Sequence, residues 1–344
     1  MTTISPHPST PADTAPAGRV LALCGGVGGA KLALGLQSVV APGQLTLAVN
    51  TGDDFEFLGL HISPDLDTVL YTLAGLNDTA RGWGRADETW NFMATLRELG
   101  AEDWFSLGDR DLAVHLERTR RLRAGETLTD VMGDLARRTG VNARLLPMTD
   151  SPLRTVVHTP AGELPFQHYF VKHRCEPVVT GISFAGASQA VANPALRQAL
   201  ADPGLTAIVV CPSNPFLSID PILSVRGLRA ALQDSMAPIV VVSPLVGGQA
   251  VKGPTAKIMG ELGLDVNSQG IAEHYAGLID GMVIDTSDAA DAAGLGIPVH
   301  VTRTLMRSTE DKCSLAREVL AFAASMRLPS RTEAPGASLC KEVR

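Results

Sequence analysis

The chain has 344 residues, 45% of them hydrophobic, and a formal net charge of −7. That supplies a substantial core and speaks against a nucleic-acid duplex as partner, whose phosphates select for basic surfaces. The five cysteines (Cys24, Cys175, Cys211, Cys313, Cys340) include no CxxC pair, and no stretch approaches the ~18 uninterrupted apolar residues of a membrane span. Buried or free thiols in a reducing, cytoplasmic setting are the expectation.

Residues 1–18 have neither a basic leader nor an apolar core and read as a disordered Pro/Ser/Thr-rich tail; residues 329–344 read the same way. Between them a single domain, 19–328, is expected. Short β-rich runs recur along it: "RVLALC" (19–24), "LTLAVN" (45–50), "TAIVVC" (206–211), "PIVVVS" (238–243), "GMVID" (281–285) and "PVHVT" (298–302). Such apolar runs, separated by helix-like segments, predict an α/β fold: a Rossmann-like, mostly parallel sheet with crossover helices. Residues 86–175 differ. "ETWNFMATLRELG" and "LTDVMGDLARRTG" have helical spacing, with Gly100 and Gly140 placed as C-caps. "RTVVHTPAGELPFQHYFV" (154–171) predicts a hairpin turning at Pro-Ala-Gly. Residues 86–175 are thus expected as an inserted helical plus hairpin subdomain.

Between the first strand and its helix lies "GGVGGAKL" (25–32). It is no Walker loop, because Ala30 replaces the second key glycine and Leu32 replaces the metal-binding Ser/Thr. Nor is it a dinucleotide fingerprint, because Lys31 stands at the third glycine of GxGxxG. The physical elements of an anion site remain: a strand, a glycine turn and a helix N-terminus with free backbone N–H groups. Gly25, Gly26, Gly28, Gly29 and Lys31 are candidate phosphate-binding residues, Lys31 being equally readable as a helix-surface lysine.

The second strand ends in "NTGDDFEFLGLHISPDLDTVLY" (50–71). Asp53 and Asp54 stand at the strand's carboxyl end, where α/β sheets bind ligands, and Asp65 and Asp67 stand at the next helix start. One or two carboxylates suit a hard cation such as magnesium. His61 is the one histidine beside this cluster. Later strand ends carry "CPSNPFLSID", with Ser213, Asn214, Ser218 and Asp220, and "SPLVGGQAVKGPTAK", with Lys252 and Lys257. The first offers groups for a base edge or phosphate oxygens; the second offers cations beside glycine turns for a pyrophosphate. No GxSxG elbow is present, so a covalent enzyme intermediate is not indicated.

Five segments in order, "GGVGGAKLALGL", "VNTGDDFEFLGLHISPDLDTVLYTLAG", "GWGRADETWNFM", "CPSNPFLSIDPIL" and "SPLVGGQAVKGPTAKIM", resemble the 2-phospho-L-lactate transferase (CofD-like) family over about residues 19–328. The resemblance implies a magnesium-dependent, homodimeric enzyme of coenzyme F-420 biosynthesis. Its donor is a guanosine diphosphate-linked phospho-acid (lactyl, enolpyruvyl or glyceryl), its acceptor the deazaflavin Fo, and GMP leaves. It implies an acidic Fo-binding position, matched by Asp54 with Asp53, and a second Fo contact near Met93. The residues' own chemistry then suggests Asp54 and Asp53 as catalytic, Asp54 as general base or through metal; the glycine loop, Ser213, Asn214, Ser218 and Lys252 as the donor site; and Asp54, Asp65 and Asp67 as candidate metal partners. The alternative is a nucleotide-sugar-binding regulator of the same superfamily, which shares the loop and sheet but not "HISPDLDTVLY" or "WGRADETW".

Overall fold

The computed structural model describes residues 18–251 and 253–326. Lys252 and, apart from Gly18, both expected tails lie outside the described residues. Seven strands form one sheet: β1 (Arg19–Cys24), β2 (Leu45–Val49), β3 (Arg144–Pro147), β4 (Leu205–Val210), β5 (Ile239–Val242), β6 (Gly281–Asp285) and β7 (Val299–Thr302). Their spatial order is β7-β6-β5-β4-β1-β2-β3, and every pairing is parallel. This is the doubly wound order. The chain reverses its direction of travel across the sheet between β1 and β4, so the ligand crevice belongs at their carboxyl ends.

The central strands are apolar throughout because both faces are covered. Leu21, Leu23, Ile208, Val210, Ile239 and Val241 face one core, against Leu196, Leu228, Ile258 and Ile271. Their neighbours Val20, Ala22, Val209, Val240 and Val242 face the other. That second core is closed by α1 (Gly26–Val39), α2 (Pro64–Leu73) and helix Thr309–Ser325, with Leu32, Leu36, Leu66, Leu70, Leu315 and Val319 as its inward stripe. At Gly35 helix Thr309–Ser325 crosses α1 so closely that a Cβ would overlap the Lys312 carbonyl.

The stretch 86–175 is only partly outside the sheet. It supplies α3 (Asn91–Glu98), α4 (Asp109–Arg123) and α5 (Leu128–Arg138), and then β3, which extends the main sheet beyond β2. Gly100 and Gly140 follow α3 and α5 with φ of 70° and 76°, as C-cap glycines do. The hairpin pairs Arg154–Thr159 with Gly162–Pro165, and Gly181–Ala185 adds a third antiparallel strand beyond the expected boundary. Its second arm is shorter than expected, since residues His168–Lys172 turn into a π-helix. Among the described residues no helix is long and apolar enough to cross a membrane.

Candidate active site

A cavity of about 590 Å³ opens where β1, β2, β4, β5 and β7 end. The glycine loop forms part of its polar lining. Gly26 starts α1 with φ +61°, and its amide donates to Asp65 Oδ1 at 2.6 Å. The helix N-terminus therefore already holds an anion, and the anion belongs to the protein. The neighbouring glycines are also explained by close packing. A Cβ on Gly25 would overlap Asp65 and Ser218, on Gly28 the Pro212 carbonyl, and on Gly29 the Ser213 hydroxyl. Ser213 straps this loop to the one after β4: its hydroxyl donates to Gly25 O at 2.8 Å and accepts from Gly25 N at 3.2 Å.

After β2 the chain delivers Asn50, Asp53 and Asp54. Asn50 Nδ2 faces three oxygens: Asp53 Oδ1 at 3.2 Å, Asp65 Oδ2 at 3.0 Å and Leu217 O at 3.2 Å. One amide group has two hydrogens, so the acceptors outnumber the donors. Burial, then the charges of Asp65 and Asp54, pushes the Asp53 carboxyl well above the usual range. Burial also raises Asp65, to about 6, against the hydrogen bonds from Asn50 and Gly26. A divalent cation fits this donor set, because it would supply the positive charge that two buried, mutually repelling carboxylates lack.

Asp54 stands one layer back. It does not line the cavity; its Oδ2 accepts from Ser63 Oγ at 2.9 Å and lies 3.1 Å from His61 Nε2, while its buried Oδ1 has no hydrogen-bond partner among the described residues. Asp67 does line the cavity, but Arg118, fully buried, engages both of its oxygens. His115 sits between carboxylates, with Nδ1 3.6 Å from Asp67 and Nε2 3.2 Å from Asp111. Tyr71 Oη donates to Asp111 at 2.5 Å. Asp67, Asp111 and His115 stand close enough together to hold a metal, and neither imidazole nitrogen has a hydrogen-bond partner among the described residues. Of the magnesium partners expected from the sequence, Asp65 stands beside Asp53 on Asn50, Asp67 stands in the group with Asp111 and His115, and Asp54 stands in neither.

The α4 side is pinned by reciprocal caps. Glu88 accepts from the amides of Arg110 and Asp111 at 2.7 and 2.8 Å, at the start of α4. Asp109 accepts from the Phe92 amide at 3.1 Å and the Asn91 amide at 3.2 Å, at the start of α3. These bonds satisfy donors that each helix leaves open.

Ser218 and Asn214 border the cavity on a π-helical turn, Pro215–Ile219. Asn214 Oδ1 caps that turn by accepting from the amides of Phe216 and Leu217, and its buried Nδ2 has no partner. Lys31 lines the cavity and donates to Met306 O at 3.1 Å; among the described lining residues it is the one Lys or Arg, against Asp53, Asp65, Asp67 and Asp111. Lys252, expected beside it, lies outside the described residues. The second glycine pair is occupied: the Gly247 and Gly248 amides donate to Asp288 at 2.9 and 2.8 Å. Lys257 is engaged by Pro177 O and Glu261.

The same cavity is lined by five aromatic rings, Trp83, Trp104, Phe105, Phe166 and Phe170. Met93, expected as a contact of the acceptor, is fully buried with Phe57, Ile62 and Leu107, and Trp104 and Phe105 pack against this cluster. Sequence reasoning missed these rings, because they come from separate segments. It also missed Asp111, His115 and Arg118, whose i, i+4, i+7 spacing on α4 marks one helix face.

Residues 20–297 match the family profile described as 2-phospho-L-lactate transferase CofD. The chain is 39% identical over 319 residues to a phosphoenolpyruvate transferase of Kitasatospora aureofaciens, covering 90% of this chain and 99% of that one. It is likewise 39% identical over 299 residues to a 2-phospho-L-lactate transferase of Methanosarcina mazei, covering 86% and 97%. A crystal structure of a UPF0052 family protein from Bacillus halodurans shares the fold, with a TM-score of 0.58 at 14% identity over 89% of this chain and 99% of that one. The chain belongs to the CofD family of 2-phospho-L-lactate transferases.

Proposed function

We propose that this protein transfers a phospho-acid moiety from a guanosine diphosphate-linked donor to the terminal ribityl hydroxyl of Fo, releasing GMP, in coenzyme F-420 biosynthesis. The observation that carries the proposal is the mixed lining of one cavity: carboxylates and a glycine loop at the sheet's switch point together with five aromatic rings. An anionic diphosphate suits the polar groups once a cation is present; a flat heterocycle suits the aromatic ones.

In the proposed reaction the hydroxyl oxygen attacks the phosphorus next to the acid. The bond from that phosphorus to the oxygen bridging it to the GMP phosphate breaks, and GMP leaves with that oxygen. The hydroxyl proton passes to the carboxylates after β2, where Asp53 faces the cavity and Ser63 and His61 orient Asp54. Asn214 Nδ2, Ser218 and Lys31 hold the donor's guanosine diphosphate side, while Ser213 fixes the loop. Magnesium held by Asp53 and Asp65 would neutralise charge on the diphosphate. Such transfer depends on positioning and charge neutralisation rather than on a covalent enzyme intermediate.

The donor half is tested by titrating GDP into the protein with and without magnesium. Magnesium-dependent saturable binding is expected, weakened by Asp65→Asn; binding of equal strength with and without magnesium would contradict the assignment. The acid is read from competition among the phospholactyl, phosphoenolpyruvyl and phosphoglyceryl donors.

A further inference from the structure

Trp83 is nearly half exposed (46%), yet it lines the cavity. Residues 76–86 form a closed loop: the Ala86 amide donates to Leu76 O at 2.8 Å, and the Asp78 amide to Gly84 O at 3.0 Å. Trp83 sits at its tip between Gly82 and Gly84, whose φ values of 81° and 71° set the left-handed turn on either side.

The indole is held from behind. The Arg81 guanidinium lies 5.1 Å from the Trp83 ring and 4.7 Å from the Trp90 ring, and Trp90 meets Trp83 edge-on at 6.3 Å. Asp78 fixes this arrangement by accepting from the Ala80 and Arg81 amides at 2.9 and 2.8 Å. An aromatic plane backed by Arg81 and Trp90 is thus presented at the cavity.

We propose that Trp83 is the stacking, specificity-determining contact for the planar ring system of the acceptor, presented by the closed loop 76–86 and braced by Arg81 and Trp90. The proposal rests on the transferase reading above. Trp83 binds ring, not reacting atoms, so its removal separates acceptor binding from donor binding.

The test is a pair of equilibrium titrations, Fo and GDP each with magnesium, into the full chain and its Trp83→Ala and Trp83→Phe variants. Loss of stacking predicts that Trp83→Ala weakens Fo binding roughly 10–100-fold and leaves GDP binding within about twofold, with Trp83→Phe recovering most of the loss. Unchanged Fo affinity in Trp83→Ala would overturn the role of Trp83 and leave the transferase reading standing. Equal losses for Fo and GDP would also overturn it, by making the residue general to the cavity. A wild-type chain that binds GDP but not Fo would overturn both.

Discussion

Asp65 accepts a 2.6 Å hydrogen bond from the amide of Gly26, so the carboxylate cluster after β2 is tied directly to the start of α1. The same aspartate is buried and its pKa is raised to about 6. A folded-state value above the unfolded one (about 4) means that the native state binds more protons between the two. Asp65 therefore lowers stability as pH rises from about 4 to about 6, and the cost persists above. Measured by urea unfolding in chelator, Asp65→Asn should gain on wild type across that window, by up to about 3 kcal/mol. A pH-independent difference would remove Asp65 as the group responsible.

Arg118 and Asp67 form a buried pair, and removing one partner strands the other's charge. Arg118→Met should cost about 3–5 kcal/mol in urea unfolding at neutral pH. Arg118→Lys should recover only part of it, because a point charge cannot match both carboxylate oxygens. A loss below about 1 kcal/mol would show that the bridge between α2 and α4 contributes little.

Gly28 packs against the Pro212 carbonyl, and backbone cannot swing aside as a side chain can. Gly28→Ala should separate the loops after β1 and β4, costing about 1–3 kcal/mol and weakening GDP binding. Thermal midpoint and GDP titration check the two halves. Unaltered values for both would mean that the loops give way freely.

Much of the fold was legible because the central strands are buried on both faces and so read as unbroken apolar runs. β1, β2, β4, β5 and β6 were placed that way, and β7, a part-buried edge strand, by its β-rich run alone. β3 was not: it has four residues, begins with an exposed Arg144, and sits at the edge. The site was legible at its strand ends, where glycines and aspartates cluster in sequence. The cavity's aromatic lining was not, since Trp83, Trp104 and Phe166 come from separate segments of the chain. The glycine loop was only half read. Its anion-seeking N-terminus was evident, but that Asp65 fills it depends on a contact across 39 positions of chain. Likewise Asp67 read as one more free carboxylate until α4 placed Arg118 on it.

Asp54 is buried behind Asp53 and oriented by Ser63 and His61, with one oxygen lacking a hydrogen-bond partner among the described residues. Asp54→Asn keeps the shape and removes the charge. It should lower kcat by about 10²-fold or more, with a thermal midpoint shifted by less than about 5 °C. Turnover within about threefold of wild type would take Asp54 out of the reaction.

The central claim is the transfer itself. The full chain is incubated with magnesium, Fo and each guanosine diphosphate-linked phospho-acid in turn, and GMP and the phosphodiester product are measured together. GMP release should require Fo and should match the product mole for mole with at least one donor. No GMP with any of the three donors, or GMP released equally without Fo, would contradict it.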